Sequence, residues 1–96
     1  MHLKEDPSVM RLFQTIAKLN SAEECCRFFD DLCTIKEVQD MAQRLDVAVL
    51  LRKGVNYQTI SQQVNVSTAT ISRVSRCLNY GSGGYAAALE KMEDAQ

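Results

Sequence analysis

The strongest constraint on this chain is how rarely it is interrupted. Pro7 is the one proline, and Gly54 is the one glycine before Gly81, Gly83 and Gly84 fall together near the end. Proline removes a helix hydrogen bond and glycine is entropically costly inside regular structure, so long stretches without either read as long regular segments. Periodicity says which kind. Val9, Leu12, Phe13, Ile16 and Ala17 recur at three- and four-residue spacing, the apolar face of a helix that Asp6-Pro7 opens. Asn20-Ser21 ends it. Ser21 followed by Glu24 has capping-box spacing and starts a second helix with an apolar stripe of Cys25, Phe28, Phe29 and Leu32. Thr34 and Glu37 repeat that spacing for a third helix, which Gly54 stops. The expected fold class is all-α.

The third helix changes character along its length. Val38, Met41, Ala42 and Leu45 form one apolar side, after which Val47, Ala48, Val49, Leu50 and Leu51 are apolar all round. Such a run must be covered on every face. Three short helices of one small chain are poorly placed to do this alone, so a homodimer with intertwined N-terminal helices is expected. Ninety-six residues with 46% apolar and 24% charged side chains suit a single globular domain. Within it, residues 7–54 form a helical dimerisation part, 56–78 a helix-turn-helix and 84–93 a C-terminal helix. No apolar run is long enough to span a bilayer, and the polar start, Met1 to Pro7, lacks a signal peptide's apolar core. No membrane association and a cytoplasmic location are therefore expected.

Catalytic and metal chemistry find little support. His2 is the only histidine, and Cys25, Cys26, Cys33 and Cys77 show neither a CxxC pair nor ligand spacing. Cys25, Cys26 and Cys33, beside an apolar stripe, read as small buried hydrophobes. Gly81-Ser82-Gly83-Gly84 follows a helix and lacks a phosphate-binding lysine, so it reads as a turn. The chain is not expected to be an enzyme or to bind a metal. Net charge is −1, but its distribution is uneven. Residues 1–46 hold nine acids against six bases, whereas Val47 through Leu89 holds Arg52, Lys53, Arg73 and Arg76 and no acid. That asymmetry fits a partner that presents phosphates to one side, or equally a merely solvated face.

The segment from Gln58 to Val74 decides between them. Asn56 caps a short helix containing Gln58, Ile60 and Val64. Asn65-Val66 makes the turn, and Ser67 caps a last helix from Thr68 to about Leu78. Ile60, Val64, Val66, Ile71 and Val74 supply the inward positions of a helix-turn-helix. Thr68, Ala69 and Ser72 then face outward, with Arg73 and Arg76 further along. Small side chains let a helix approach base edges, and their hydroxyl and methyl groups can read them. Ser67 and the free N–H groups behind it suit a phosphate, Gln58 a phosphate or a base, and Arg76 a phosphate. The expected function is a sequence-specific transcription regulator, a repressor, that binds double-stranded DNA. The alternative is a protein–protein interaction module built on the same motif.

From Cys33 to Leu78 the chain resembles the Trp repressor family, through Thr34, Glu37, Arg44, the Leu51–Gly54 helix end and Ala69-Thr70-Ile71-Ser72-Arg73. Asn79-Tyr80-Gly81 and Gly84-Tyr85 resemble its YerC/YecD branch. The resemblance implies an intertwined all-α homodimer on a palindromic operator, with Gln58, Thr68, Ala69 and Ser72 at base-contacting positions. It also implies an effector pocket at Thr34, Arg44 and Arg73, where the family's namesake holds L-tryptophan between two arginines. Two positions depart from that pattern. Val74 replaces a glycine beside the indole, and Cys77 replaces a serine near the ligand's amino group. A branched side chain fills space the indole needs. The expectation is thus no tryptophan cofactor, with the arginines left to another small-molecule effector, to acids or to phosphates.

Overall fold

The computed structural model describes residues 2–94, and among them there are helices and no strand. A single 3₁₀ turn, Leu3–Glu5, precedes α1 (Pro7–Ala17), α2 (Ala22–Leu32), α3 (Ile35–Arg52), α4 (Tyr57–Val64), α5 (Thr68–Tyr80) and α6 (Gly84–Asp94). The all-α expectation is met. His2 lies just ahead of the 3₁₀ turn, which periodicity did not foretell.

The helix starts follow their capping residues. Asp6 accepts hydrogen bonds from the Ser8 and Val9 amides at 2.9 and 3.3 Å, with Pro7 in the first turn. Ser21 accepts from the Glu24 amide at 3.1 Å. Glu24 itself accepts from the Asn20 amide at 3.1 Å, one residue further back than a reciprocal box would place it. The third start is fully reciprocal. The Glu37 amide donates to the Thr34 hydroxyl at 3.1 Å, and the Thr34 amide donates to the Glu37 carboxylate at 2.8 Å. The Thr34 backbone N–H, and after it the Thr34 side chain, hold the Glu37 carboxyl below its ordinary range.

α3 ends in a Schellman motif. The Gly54 amide donates to the Leu51 carbonyl at 3.0 Å, and the Val55 amide to the Leu50 carbonyl at 3.1 Å. Gly54 adopts a left-handed φ of 83°, which a side chain would strain. α5 continues to Tyr80, two residues past the expected end, and α6 begins at Gly84. Asn79 and Tyr80, expected in a loop, are thus helical. The Gly81 amide closes α5 on the Cys77 carbonyl at 2.9 Å, and a Cβ on Gly81 would lie 2.3 Å from that same oxygen. The turn therefore falls where glycine alone fits.

Two compact units make up the chain, divided after Val38 within α3. The second holds the core. Val47 and Ala48 of α3, Ile60 of α4, Ile71 and Val74 of α5 and Leu89 of α6 are buried together, with Val49, Leu50, Leu51, Val64 and Val66 packed against them. Of the all-round apolar run of α3, Val47 and Ala48 are thus covered by α4, α5 and α6 of the same chain, and Val49, Leu50 and Leu51 are half-buried. Most of the cover expected from a second copy comes from the chain itself. The uncovered apolar surface lies elsewhere.

In the first unit neither α1 nor α2 buries a single residue. Phe13 is 43% exposed, Leu32 48% and Ile35 72%. Cys25 and Cys33 are half-buried and Cys26 is exposed, so within one chain they are not the buried hydrophobes expected of them. Helices of 11 residues are marginal in water without tertiary cover, and these two have amphipathic faces with little of it.

Candidate nucleic-acid interface

The second unit presents α5 with two distinct faces. Ile71 and Val74 are buried and Leu78 is half-buried, at the three- and four-residue spacing of one helix side. Thr68, Ala69, Ser72, Arg73 and Arg76 are exposed. Every residue expected to face outward on this helix does so. Gln58 is also exposed, at the second position of α4.

The turn between the helices is built from three consecutive residues, each fixed differently. Asn65 takes the left-handed conformation, φ 60° and ψ 50°, that glycine commonly supplies at a helix C-terminus, and its amide donates to the Ser61 carbonyl. Val66 is half-buried against the core, and its carbonyl accepts from the Ser61 hydroxyl at 2.8 Å. Ser67 caps α5 by accepting from the Thr70 amide at 3.2 Å, and its hydroxyl also lies 3.2 Å from that of Thr70. The Ser67 oxygen thus serves as the cap of α5. Beside its hydroxyl, the first-turn backbone N–H groups that the cap does not engage are the donors a helix start offers a phosphate. At the other end of α4, Asn56 accepts from the Thr59 amide at 2.9 Å.

The basic side chains divide as well. The Arg52 Nε pairs with the Glu93 carboxylate at 3.1 Å and its Nη1 donates to the Ala86 carbonyl at 3.4 Å, fastening α3 to α6. Arg52, although exposed, is thus paired within the chain, and Lys53, Arg73 and Arg76 are the other exposed charges of the acid-free stretch.

Of the expected effector residues, Thr34 belongs to the first unit, and Arg44 and Arg73 belong to the second. Arg44 is half-buried and lines a cleft of about 300 Å³ with Asp40, Gln43, Asn65, Val66, Ser67 and Thr70. Arg73 is not among the residues lining that cleft, and Thr34 belongs to the first unit, engaged with Glu37. Val74 is 1% exposed within the core, and Cys77 lines an apolar groove with Leu45, Tyr85 and Ala88. Asp40, Gln43 and Thr70 were not anticipated as cleft residues, because side chains from α3 and from the turn meet only through the fold. Among the described residues no group of three or more His, Cys, Asp or Glu side chains is placed to hold a metal, and no helix is long and apolar enough to cross a membrane.

A family model described as Trp repressor protein matches residues 8–93, nearly the whole chain. The chain belongs to the Trp repressor family. Within the Trp repressor family the similarity extends to the uncharacterized protein YerC of Bacillus subtilis (strain 168), 54% identical over 86 residues that span 90% of this chain and 83% of YerC. Two solved structures share the fold at 43% identity. One is a TrpR-like protein from Eubacterium eligens ATCC 27750, with a TM-score of 0.88 over 92% of this chain and 91% of that one. The other, from Staphylococcus aureus, is described as a candidate Trp repressor, with a TM-score of 0.89 over 97% of this chain and 95% of that one. The resemblance to the YerC branch read from the sequence is borne out. The Trp repressor family is one of helix-turn-helix transcription regulators, and α4–turn–α5 is that motif here.

Proposed function

We propose that the chain is a homodimeric, sequence-specific transcription repressor that inserts α5 of each copy into the major groove of a palindromic operator. The observation that carries this reading is the face of α5: small and basic residues outward, acid nowhere, Ile71 and Val74 locked inward. Thr68, Ala69 and Ser72 read base edges, and Gln58 reaches a phosphate or a base from α4. Arg76 lies eight residues beyond Thr68, roughly 12 Å along the helix axis. The major groove is itself about 12 Å wide, so Arg76 meets phosphate at its edge rather than a base. Arg73 stands between, beside the backbone.

The dimer rests on the first unit, whose apolar faces a second copy would cover. Two-fold symmetry then places the reading helices on half-sites about one turn, ~34 Å, apart.

Two variants separate the roles on α5. Arg76→Ala is expected to weaken binding to all duplexes and to lower the slope of log K against log salt by roughly 1. Thr68→Ala is expected to leave that slope intact and relax preference at one base position. Titrations over a range of salt, on matched and mismatched duplexes, check both. Equal loss on all sequences in both variants would contradict the assignment. Binding of a protein partner with no salt-dependent DNA binding would favour the interaction-module reading instead.

No tryptophan cofactor is proposed. The side chain of Val74 already occupies the core at the position where the family's namesake has glycine, and Thr34 is committed to Glu37. Calorimetry with L-tryptophan is expected to give no saturable heat; micromolar affinity would overturn this. The cleft at Arg44 remains available to another small effector or to a phosphate.

A further inference from the structure

The turn of the motif has a feature that neither the helix pattern nor the reading face accounts for. Ser61, in the middle of α4, holds two consecutive turn residues at once. Its backbone carbonyl accepts the Asn65 amide at 3.1 Å, and its hydroxyl donates to the Val66 carbonyl at 2.8 Å, five residues along the chain. Ser61 is half-buried, as is Val66, so the bond is partly shielded from water. The next residue, Ser67, caps α5. The path from α4 to the first turn of α5 is therefore fixed residue by residue: Asn65 by its left-handed backbone, Val66 by Ser61 and the core, Ser67 by Thr70.

A helix entering a groove must be placed closely before it meets DNA, because ordering it on binding subtracts from affinity. In many serines at helix interiors the hydroxyl returns to its own helix. Here it leaves the helix and ties down the loop. We infer that Ser61 is the positioning residue of the DNA-reading helix, and that it sets the α4–α5 geometry in the free chain without a bound ligand. This rests on the proposed reading of DNA by α5. Ser61 touches no base in that scheme; it acts through Val66 and Ser67.

The test uses the full chain, freed of amino acids by dialysis, and two variants, Ser61→Ala and Ser61→Thr. Affinity is measured for a duplex enriched from random sequence by the wild-type protein. Amide hydrogen exchange is followed at Thr70 and Ile71, whose N–H groups bond to the Ser67 hydroxyl and carbonyl. Asn56→Ala removes a hydrogen bond from the opposite end of α4 and controls for stability alone.

The wild-type chain should bind with no added small molecule, and millimolar L-tryptophan should not change its Kd. Ser61→Ala should lower affinity about three- to tenfold, the size of one lost hydrogen bond. It should also speed exchange at Thr70 and Ile71 more than Asn56→Ala does at a comparable unfolding midpoint, and Ser61→Thr should restore both. Unchanged affinity and exchange in Ser61→Ala, or a wild-type protein that binds only with an added ligand, would overturn the inference. Faster exchange in Ser61→Ala together with no DNA binding by the wild type would uphold the lock and overturn the DNA reading on which its role depends.

Discussion

Ile71→Ala is expected to destabilise the protein by about 2–5 kcal/mol, the range for truncating a buried Ile or Leu to Ala. Small domains have only about 5–15 kcal/mol in all, so this is a large share. Ile71 is 0% exposed, and it packs with Val47 and Ala48 of α3, Ile60 of α4 and Leu89 of α6. Every helix of the second unit meets at this point, so no single one can relax into the void. The effect reaches function by a short path. Ile71 is one turn into α5, between the exposed Ala69 and Ser72, and with Val74 it sets which side of that helix faces out. Denaturant unfolding followed by circular dichroism should show a lower midpoint with an unchanged slope. A loss below about 1 kcal/mol would mean that the core closes around the gap and that α5 is held by something other than this cluster.

The second large effect concerns assembly. Leu32→Asp combined with Ile35→Asp is expected to turn a dimer into monomers with frayed N-terminal helices. The two side chains are 48% and 72% exposed in the single chain, too much for residues with a purely internal role. A two-fold interface uses each patch twice. At about 1.5–3 kcal/mol for fully burying a Leu or Ile, covering the fractions still exposed on the four side chains of a dimer contributes roughly 4–7 kcal/mol. Placing aspartates there also brings like charges together. Size-exclusion chromatography with light scattering should give the wild type twice the chain mass of 10.8 kDa and the double variant that mass itself. Helix content should fall with it, because helices as short as α1 and α2 need tertiary cover. A wild-type mass of one chain would contradict the dimer and leave the apolar faces of α1 and α2 unexplained.

What was legible in the sequence is what is local. Asp6, Ser21, Thr34, Asn56 and Ser67 were all readable as helix starts, because a cap and the amide it satisfies lie within three residues. The inward and outward sides of α5 were readable for the same reason, since one helix period sorts Ile71 and Val74 from Thr68 and Ser72. The misses have physical causes. Asn79-Tyr80-Gly81 looks like a turn by composition, yet the Cys77 carbonyl draws α5 on to Tyr80 and only Gly81 breaks it. The run from Val47 to Leu51 signals burial but not what supplies it, and three later helices of the same chain bury Val47 and Ala48. Arg52 is the surface charge it reads as, but its pairing with Glu93, distant in sequence, was not legible. Ser61 was invisible as a positioning group, because a serine inside a helix period carries no sign of where its hydroxyl goes.

The most direct test of the central claim is selection of random duplex DNA by the purified wild-type protein, read by sequencing. A palindromic consensus with half-sites about one helical turn apart is the expected result, for two copies of α5 reading adjacent major grooves. Absence of any enriched sequence at low salt would contradict sequence-specific reading by α5 and point to a protein partner for the same face.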